Sequence, residues 1–476
     1  MLWILVALLV FIFQIATILI VEFRSAVKTV AWLLILFFVP LIGFVLYYFV
    51  AREYKQRRKL RGQGSKLSHK INSQLNGQSD VIDSLEQMKN KSFQYQERLF
   101  GLLSRLPESP ITGCNEVRVL KDGEETFRVM LEEIEKAQDH IHMEFYIFRS
   151  DMIGTRFQEA LTRKAREGIK VRIICDGLGS IKTSRTFVTK LRQAGVEFVF
   201  FLPPLIALLD KRLNYRNHRK IVVIDGKIGF MGGINIGDDY LGLHPKMGNW
   251  RDTELLVEGD AVYALQLTFL GDWRLATDQE VDLQGLFPLH RCQGSQQIQI
   301  LASGPDQNRD SIQEMCFGAI AVAKHRVWIT TPYFIPDQAT YEALRTAALS
   351  GVDVRIIIPY HSDNRLVHWA SLSYVEDLLE VGVTFYQYAT GFVHAKTMIV
   401  DDLLGTVGSA NLDMRSFYYN FELTAVLFDS LPIEELERHF LQDTEDSRAI
   451  LLDAFKRRPI RQKAMEILGR LLSPLL

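Results

Sequence analysis

Two copies of a short pattern carry the residue types that could cleave a phosphodiester. Each copy has a histidine, a lysine two positions later and an aspartate at its end. The copies are His218, Lys220 and Asp225, and His394, Lys396 and Asp401. An asparagine then follows each histidine at the same spacing, as Asn235 and Asn411. Because these polar residues recur in register, the chain is predicted to contain an internal duplication.

These residue types match the needs of phosphodiester cleavage. The reaction requires a nucleophile, an acid for the leaving alkoxide, and donors for the charge on the phosphate oxygens. One imidazole can attack phosphorus, while the other protonates the leaving oxygen and then deprotonates the incoming hydroxyl. Two lysines and two asparagine amides can neutralise the phosphate. The prediction is one shared site that needs no metal ion or other cofactor. The alternative is two structural His–Lys pairs in separate folds.

Four carboxylates accompany the motifs. Asp252 and Glu422 come after the asparagine of their copies and are candidates for fixing the tautomer of a histidine. Asp225 and Asp401 complete the motifs and are counted with the catalytic residues. Each of these two ends an apolar run, however, where a turn or a structural ion pair explains an aspartate better than chemistry does.

The duplication extends to the elements that would position these residues. Apolar runs with a tyrosine near the end occur at residues 141–148 and 327–335, each followed by a helical segment and a further apolar run. Residues 222–224 and 397–400 are apolar without alternation, which is typical of strands buried on both faces. The pattern predicts two α/β sandwiches with mixed sheets, packed about a pseudo-twofold so that the two motifs meet.

The N-terminal segment has a different character. Residues 2–21 form an apolar run, and residues 30–50 form a second. Each run is long enough to cross about 30 Å of hydrocarbon at roughly 1.5 Å per helical residue. A two-helix transmembrane hairpin over residues 1–51 is therefore predicted. A cleaved signal peptide fits less well, because no basic segment precedes the first run. A buried hairpin in a soluble core is the remaining alternative.

Charges beside the apolar runs predict the orientation. The segment after the second run carries one acid, Glu53, and six basic residues: Arg52, Lys55, Arg57, Arg58, Lys59 and Arg61. The positive-inside bias places the C-terminal portion on the cytoplasmic side of the cell membrane, as part of a multi-pass protein. The cluster could also contact anionic headgroups. Residues 52–110 are assigned to this basic juxtamembrane segment and a polar linker.

Composition limits the remaining possibilities. The chain has 476 residues and a formal net charge of -1, so it lacks the basic excess of a protein that coats nucleic acid. Its mean hydropathy of +0.04 is high for its charge content, and the apolar excess lies in the N-terminal runs. The four cysteines are far apart in the sequence, which predicts free thiols and excludes a cysteine zinc site.

Two further segments could touch lipid. Residues 200–209 are apolar and precede His218; they could form a rim for acyl chains, although a buried connection is favoured. Residues 456–476 are predicted to form a basic amphipathic helix. Docking of this last helix on the core is favoured over an interfacial position.

The paired motifs resemble those of the phospholipase D superfamily, and within it the chain is similar to the bacterial cardiolipin synthases. Three segments carry the narrower resemblance: residues 29–34, 214–220 and 470–476. Arg24 and Ser25 depart from the small or proline-containing loop of relatives, which bears on topology alone. The resemblance implies two tandem phospholipase D-type mixed-sheet sandwiches, over residues 111–285 and 286–455.

The resemblance also implies a reaction. Two phosphatidylglycerol molecules would become cardiolipin and glycerol through a phosphatidyl-histidine intermediate, with His218 as the nucleophile and His394 as the acid and base. Exchange of one phosphodiester for another is nearly thermoneutral, so no nucleotide is required. Phosphatidylglycerol would be both donor and acceptor, and the lipid bilayer would be a partner. Neither nucleic acid nor an obligatory protein partner is expected.

Three other functions stay open. A membrane-bound phospholipase D-type hydrolase would use water in place of the lipid acceptor, and a phosphatidylserine synthase would use serine. A catalytically inactive membrane scaffold is disfavoured, because both copies keep their histidine, lysine and asparagine. A nuclease of the same superfamily is disfavoured by the balanced charge and the apolar N-terminus.

Overall fold

The computed structural model describes residues 2–21, 26–39, 43, 47, 79–106, 110–209, 214–290, 294–307 and 309–473. The helices are α1 (Leu2–Val21), α2 (Ala26–Phe38), α3 (Glu97–Leu103), α4 (Gly123–Lys136), α5 (Met152–Arg166), α6 (Arg185–Gln193), α7 (Pro204–Leu209), α8 (Ala261–Thr277), α9 (Ser311–Val322), α10 (Gln338–Leu349), α11 (Arg365–Leu372), α12 (Val375–Glu380), α13 (Met414–Tyr418), α14 (Ser430–Glu445), α15 (Leu452–Lys456) and α16 (Ile460–Leu472). Short 3-10 helices lie at Leu85–Gln87, Phe93–Tyr95 and Asp238–Leu241.

The strands are β1 (Val81–Ile82), β2 (Ile111–Asp122), β3 (His140–Phe145), β4 (Lys170–Asp176), β5 (Glu197–Phe201), β6 (Ile221–Ile224), β7 (Ile228–Gly232), β8 (Asn249–Gly259), β9 (Gln296–Ser303), β10 (Arg326–Thr330), β11 (Phe334–Ile335), β12 (Asp353–Pro359), β13 (Thr384–Tyr388), β14 (Gly391–Val393), β15 (Thr397–Val400), β16 (Leu404–Gly408), β17 (Leu412–Asp413), β18 (Glu422–Leu427) and β19 (Ser447–Ala449).

The two halves of the chain repeat the same order of strands. The first sheet runs β5-β4-β3-β6-β7-β8-β2, and the second runs β13-β12-β10-β15-β16-β18-β9. In each sheet the three strands at the outer end are parallel, and the following strands are antiparallel. An antiparallel pairing of β2 with β9 joins the two sheets. The predicted mixed α/β architecture with an internal repeat is therefore confirmed.

Helices cover both faces of the joined sheets. Along β6, Val222 belongs to a cluster with helices α4 and α5, whereas Ile221 belongs to a cluster with α8 on the opposite face. That second cluster also contains Leu436 of α14, together with Val117 of β2 and Ile298 of β9. Because strands and helices of both halves share it, the two sandwiches have a common core between them.

The N-terminal helices coincide with part of the predicted hairpin. Helix α1 covers the first predicted span, and α2 begins at Ala26, four residues before the second one. The Trp32 ring packs edge-on against the Tyr47 ring at 5.4 Å. No helix in the described part of the chain is both long enough and apolar enough to cross a membrane. Most of the second predicted span after residue 39, and the basic segment over residues 52–61, lie outside the described residues.

Two sequence predictions differ from the structure. Cys175 and Cys316 are buried free thiols, but Cys114 is disulfide-bonded, so the prediction of free thiols is wrong for Cys114. The helix predicted over residues 456–476 begins only at Ile460, because the preceding short helix α15 ends at Lys456 and the chain is not helical between them. The reason is Pro459, which disfavours helical geometry in the residue before it.

Candidate active site

The two motif histidines lie where the halves of the chain pair with each other's strands. Strand β14, just before His394, pairs in parallel with the start of β8 in the first half. The His394 N–H donates to the Arg251 carbonyl over 2.7 Å. Likewise, the His218 N–H donates to the Phe421 carbonyl, in the second half, over 2.9 Å. The backbone of each histidine is therefore held by the opposite half.

Each histidine ring is paired with a carboxylate from the opposite half. His218 Nδ1 lies 3.0 Å from Glu422 Oε2, and His394 Nδ1 lies 2.7 Å from Asp252 Oδ2. Both carboxylates are fully buried. An N–H at Nδ1 that donates to a carboxylate leaves Nε2 as the reactive nitrogen. Within the described part of the chain, Nε2 of neither ring has a hydrogen-bond partner.

Burial sets the protonation of these groups. It lowers the pKa of His394 to about 3, with Lys396 adding to the effect. Burial also lowers the pKa of His218 by more than Glu422 raises it. Burial acts to raise the pKa of Asp252, but Lys396 and His394 together lower that pKa by more. Burial also acts to raise the pKa of Glu422, and His218 is the main group that lowers it below the usual value. Near neutral pH both rings are therefore neutral and both carboxylates are ionised.

The two motif lysines are buried beside the histidines. Lys220 Nζ donates to the His218 carbonyl over 2.5 Å, and Lys396 Nζ donates to the His394 carbonyl. Burial lowers the pKa of Lys220 to about 7 and that of Lys396 to about 8. Lys396 Nζ also lies 2.9 Å from His394 Nδ1, but that nitrogen cannot accept this bond while it donates to Asp252. A phosphate nearby would favour the charged lysines, because an anion raises a lysine pKa.

The two motif asparagines have different surroundings. Asn235 uses its amide within the protein: Nδ2 donates to the Tyr240 hydroxyl over 2.7 Å, and Oδ1 accepts from the Ile147 N–H over 3.0 Å. Asn411 Oδ1 is buried and has no hydrogen-bond partner among the described residues. Both side chains line the same pocket as the two histidines. The Asn411 amide is therefore the less engaged of the two, and its NH₂ group is the part that can donate to a phosphate oxygen.

Asp225 and Asp401 lie away from the histidines, so their inclusion with the catalytic residues needs correction. The Asp225 carboxylate accepts the backbone N–H groups of residues 138, 139 and 140. Asp401 does the same for residues 324, 325 and 326. Each follows a four-residue strand that begins beside the motif lysine. At roughly 3.3 Å per residue that strand separates the carboxylate from the site by about 13 Å. Both aspartates join turns to the neighbouring strand.

One pocket of about 430 Å³ contains both histidines. Its two ends differ at equivalent positions of the repeat. Beside His218 the pocket is lined by Tyr146, whose ring lies 5.0 Å from the imidazole, and by Arg216. The position equivalent to Arg216 is Phe392, whose ring lies 5.8 Å from that of His394. The His218 end of the pocket is therefore cationic, whereas the equivalent position beside His394 is a phenylalanine that is buried and does not line the pocket.

Three further residues that line the pocket carry polar groups. Arg415, from α13, donates to the side chain and the carbonyl of Asn214. Asn420 and Trp250 stand two residues before the buried carboxylates of their halves, and Asn420 Oδ1 and Trp250 Nε1 are buried without a partner in the described residues. Sequence analysis gave none of these three a role. The sequence feature that could have identified these residues is their position beside a motif residue or candidate acid of the repeat.

The repeat also differs in how it supports the two carboxylates. Ser409 Oγ donates to Glu422, and Asn420 Nδ2 donates to the other oxygen of that carboxylate over 3.1 Å. The position equivalent to Ser409 is Gly233, where a Cβ would lie 2.1 Å from Asp252 Oδ1. Asp252 therefore occupies the space that a side chain at position 233 would need. No group of side chains suited to a metal ion occurs among the described residues.

The comparisons with known proteins agree with this geometry. The sequence profile described as "Cardiolipin synthase, PLD-like domain" matches residues 130–255 and 317–444. A cardiolipin synthase of Geobacillus sp. (strain WCH70) is 42% identical over 464 residues, which cover 97% of this chain and 91% of that protein. The chain belongs to the cardiolipin synthase family.

Other members of the cardiolipin synthase family are similar over the same length. The major cardiolipin synthase of Bacillus subtilis (strain 168) is 40% identical over 464 residues, covering 96% of this chain and 95% of that protein. Among solved structures, the phosphatidylserine synthase of Haemophilus influenzae Rd KW20 has a TM-score of 0.62 at 15% identity. The match covers 80% of this chain and all of that one, and it reflects a shared fold alone.

Proposed function

We propose that this chain is a cardiolipin synthase, which transfers a phosphatidyl group from one phosphatidylglycerol to another and releases glycerol. The observation that carries the proposal is the pair of imidazoles in one pocket, each with a buried carboxylate from the opposite half. Family relatives that are similar over nearly the whole chain bear the name cardiolipin synthase. Each step exchanges one bond to phosphorus for another, so the reaction consumes no nucleotide.

In the first step, His218 Nε2 attacks the phosphorus of the donor lipid. A P–N bond forms, and the P–O bond to the glycerol headgroup breaks. His394 gives its Nε2 proton to the leaving glycerol oxygen. This requires a charged His394, and the phosphodiester itself supplies the condition, because a nearby anion raises an imidazole pKa. Glu422 stabilises the positive charge that develops on His218.

In the second step, the hydroxyl of a second phosphatidylglycerol replaces His218. His394, now neutral, removes the hydroxyl proton, the new P–O bond forms and the P–N bond breaks. Cardiolipin leaves, and both imidazoles return to their starting protonation. Asn411 lines the pocket, and Lys220 and Lys396 each donate to the carbonyl of the motif histidine in their own half. We assign the two ammonium groups and the Asn411 NH₂ group to the phosphate oxygens in both steps.

The cationic end of the pocket favours a lipid acceptor over water or serine. The acceptor phosphatidylglycerol brings a second phosphate, a few bonds from its reacting hydroxyl. Arg216 and Arg415 line the pocket next to His218, and Arg415 has no carboxylate partner among the described residues. Two guanidinium groups suit a phosphate diester. We assign the two guanidinium groups to the phosphate of the acceptor lipid, whose own bonds do not change in the reaction.

A membrane location follows from the substrate. We propose that residues 1–51 form a hairpin that anchors the enzyme in the cell membrane, with the catalytic halves on the cytoplasmic side. The apolar character of the N-terminal runs and the basic residues after them support this orientation. Anchoring raises the local concentration of lipid acceptor, which favours transfer over hydrolysis.

The test uses phosphatidylglycerol vesicles as the only lipid, without nucleotide, and identifies products by mass spectrometry. We expect cardiolipin and glycerol in equal amounts, and a fall of at least about 10² in rate for both His218→Ala and His394→Ala. His325→Ala is the matched control, because that histidine is exposed and away from the pocket. Phosphatidic acid as the sole product would identify a hydrolase instead. Full activity in either active-site variant would refute the shared site.

A further inference from the structure

The C-terminal helix α16 exposes its apolar face. Ile460, Ala464, Ile467, Leu468 and Leu471 recur at the spacing of one side of a helix. All five are exposed, with 86% of Ile460, 62% of Ile467, 51% of Leu468 and 46% of Leu471 accessible to solvent. The sequence analysis favoured docking of this helix on the core. The helix is docked, but its apolar face is not the face that it uses.

The docked face of α16 is small and polar. Gly469 lies against helix α11 so closely that a Cβ there would be 2.6 Å from the Ala370 backbone nitrogen. Glu466 is buried and forms an ion pair with Arg458. Arg470 donates to the Ser373 carbonyl over 2.9 Å. These contacts fix the position of the helix, and among the described residues they leave Ile460, Ile467, Leu468 and Leu471 about half exposed or more.

The charges around the exposed face are positive. Arg457 and Arg461 are exposed beside it, and Lys463 lies on its flank. Arg470 is ion-paired with Asp377 and is not counted among these charges. Glu466 is the only acid within α16, and it is buried. An apolar stripe with cationic flanks is the pattern of helices that lie in the boundary between lipid headgroups and acyl chains. The positive flanks match the anionic headgroup of phosphatidylglycerol.

The position of α16 connects this face to the active site. The helix packs on α11, whose N-cap residue Asn364 and whose Val367 both line the pocket that holds the histidines. Packed helices have axes about 8–10 Å apart. The exposed apolar face of α16 is therefore separated from the pocket residues Asn364 and Val367 by about the width of one helix.

We propose that α16 lies in the surface of the lipid bilayer and thereby turns the pocket towards its substrate. The occupant of the exposed face is an anionic lipid surface. This inference rests on the proposed function in that the substrate is a bilayer lipid. It is separate from the proposed N-terminal hairpin, whose proposed role is to anchor the chain.

The direct test measures membrane depth at one position of the full-length protein. Leu468→Cys carries a fluorescent label, and Leu431→Cys, on α14 and 71% exposed, is the matched control. The free thiols of the native chain are buried. In vesicles of phosphatidylglycerol and phosphatidylcholine, acyl chains brominated near the headgroup should quench the label at position 468 and not the label at 431. Equal water exposure at both positions would overturn the inference.

A second copy of the chain is the main competing occupant. Nitroxide labels at position 468 would show strong spin–spin coupling if two copies paired through this face, and that result would also overturn the inference. In activity assays, we expect the combined variant Ile467→Ser, Leu468→Ser and Leu471→Ser to be at least about tenfold slower on vesicles. It should match the native enzyme in detergent micelles that dissolve the substrate.

The two assays separate failure of the inference from failure of the proposed function. If the native protein makes no cardiolipin in micelles, the proposed function fails, while the depth measurement at position 468 still reports on α16. If the triple variant is slow both on vesicles and in micelles, its loss of activity reflects misfolding. In that case the quenching of the label at position 468 decides whether the inference holds.

Discussion

Replacement of Glu422 by glutamine tests the crossed pairing of the two halves. The Glu422 carboxylate lies 3.0 Å from His218 Nδ1 and is fully buried. Glutamine keeps the size and can still accept from Nδ1, because the Asn420 amide can turn so that its unpaired oxygen accepts from the new NH₂ group. The variant Glu422→Gln therefore removes mainly the charge.

The size of the effect follows from the charge that His218 develops in the first step. A carboxylate about 4 Å from an imidazolium contributes about 4 kcal/mol at an effective dielectric constant of about 20. Because glutamine keeps the hydrogen bond, we expect kcat to fall by about 10²–10³-fold. Glu422 also raises the pKa of His218 against the larger effect of burial. Without its charge, that pKa falls further, so the acid limb of the kcat/KM profile should move to lower pH.

The assay is initial cardiolipin formation in detergent micelles of phosphatidylglycerol between pH 4 and pH 9. Glu254→Gln is the matched control, because Glu254 is equally buried and burial raises its pKa well above the usual range. The pKa of Glu254 is raised whereas that of Glu422 is lowered, so the same substitution removes less charge at position 254. A Glu422→Gln enzyme within about threefold of the native rate, with an unchanged pH profile, would refute the role assigned to the crossed carboxylate.

Four further predictions follow from the same geometry. Asp225→Asn should lower the free energy of unfolding by about 1–3 kcal/mol, because one of three backbone N–H donors loses its acceptor. The kcat per folded molecule, measured with active-site titration, should stay unchanged. Arg415→Gln should raise the KM for the acceptor lipid and shift products from cardiolipin towards phosphatidic acid in mass spectra; an unchanged product ratio would contradict the acceptor role. Since Lys220 has a pKa of about 7, kcat/KM should decline as pH rises through that value, and Lys220→Arg should move this limb upward. Gly233→Ala should slow turnover by about 10²-fold and lower the free energy of unfolding by about 1–3 kcal/mol, because the new Cβ displaces the buried Asp252 carboxylate. A native rate would show that the carboxylate can shift freely.

The repeat made much of the fold predictable. Buried strands such as β6 and β15 are continuous apolar runs, and the equal spacing of motif residues in both copies indicated two similar sandwiches. The element order of each half follows from such local patterns. The sequence could not indicate where α16 places its apolar residues. Amphipathic spacing predicts a helix with an apolar face, but only packing decides which face is covered.

The sequence establishes which residue types this protein uses: two histidines, two lysines and two asparagines in matched positions, with one candidate acid further along each copy. Only the tertiary structure decided how they combine. His218 pairs with Glu422 across 204 residues of chain, and His394 pairs with Asp252 across 142. By sequence spacing, each acid would support the histidine of its own copy. In the structure, each histidine segment pairs with the opposite half, so each acid contacts the histidine of the other copy. The same packing removed Asp225 and Asp401 from the site, because a strand's length separates its two ends, however close the motif is in sequence.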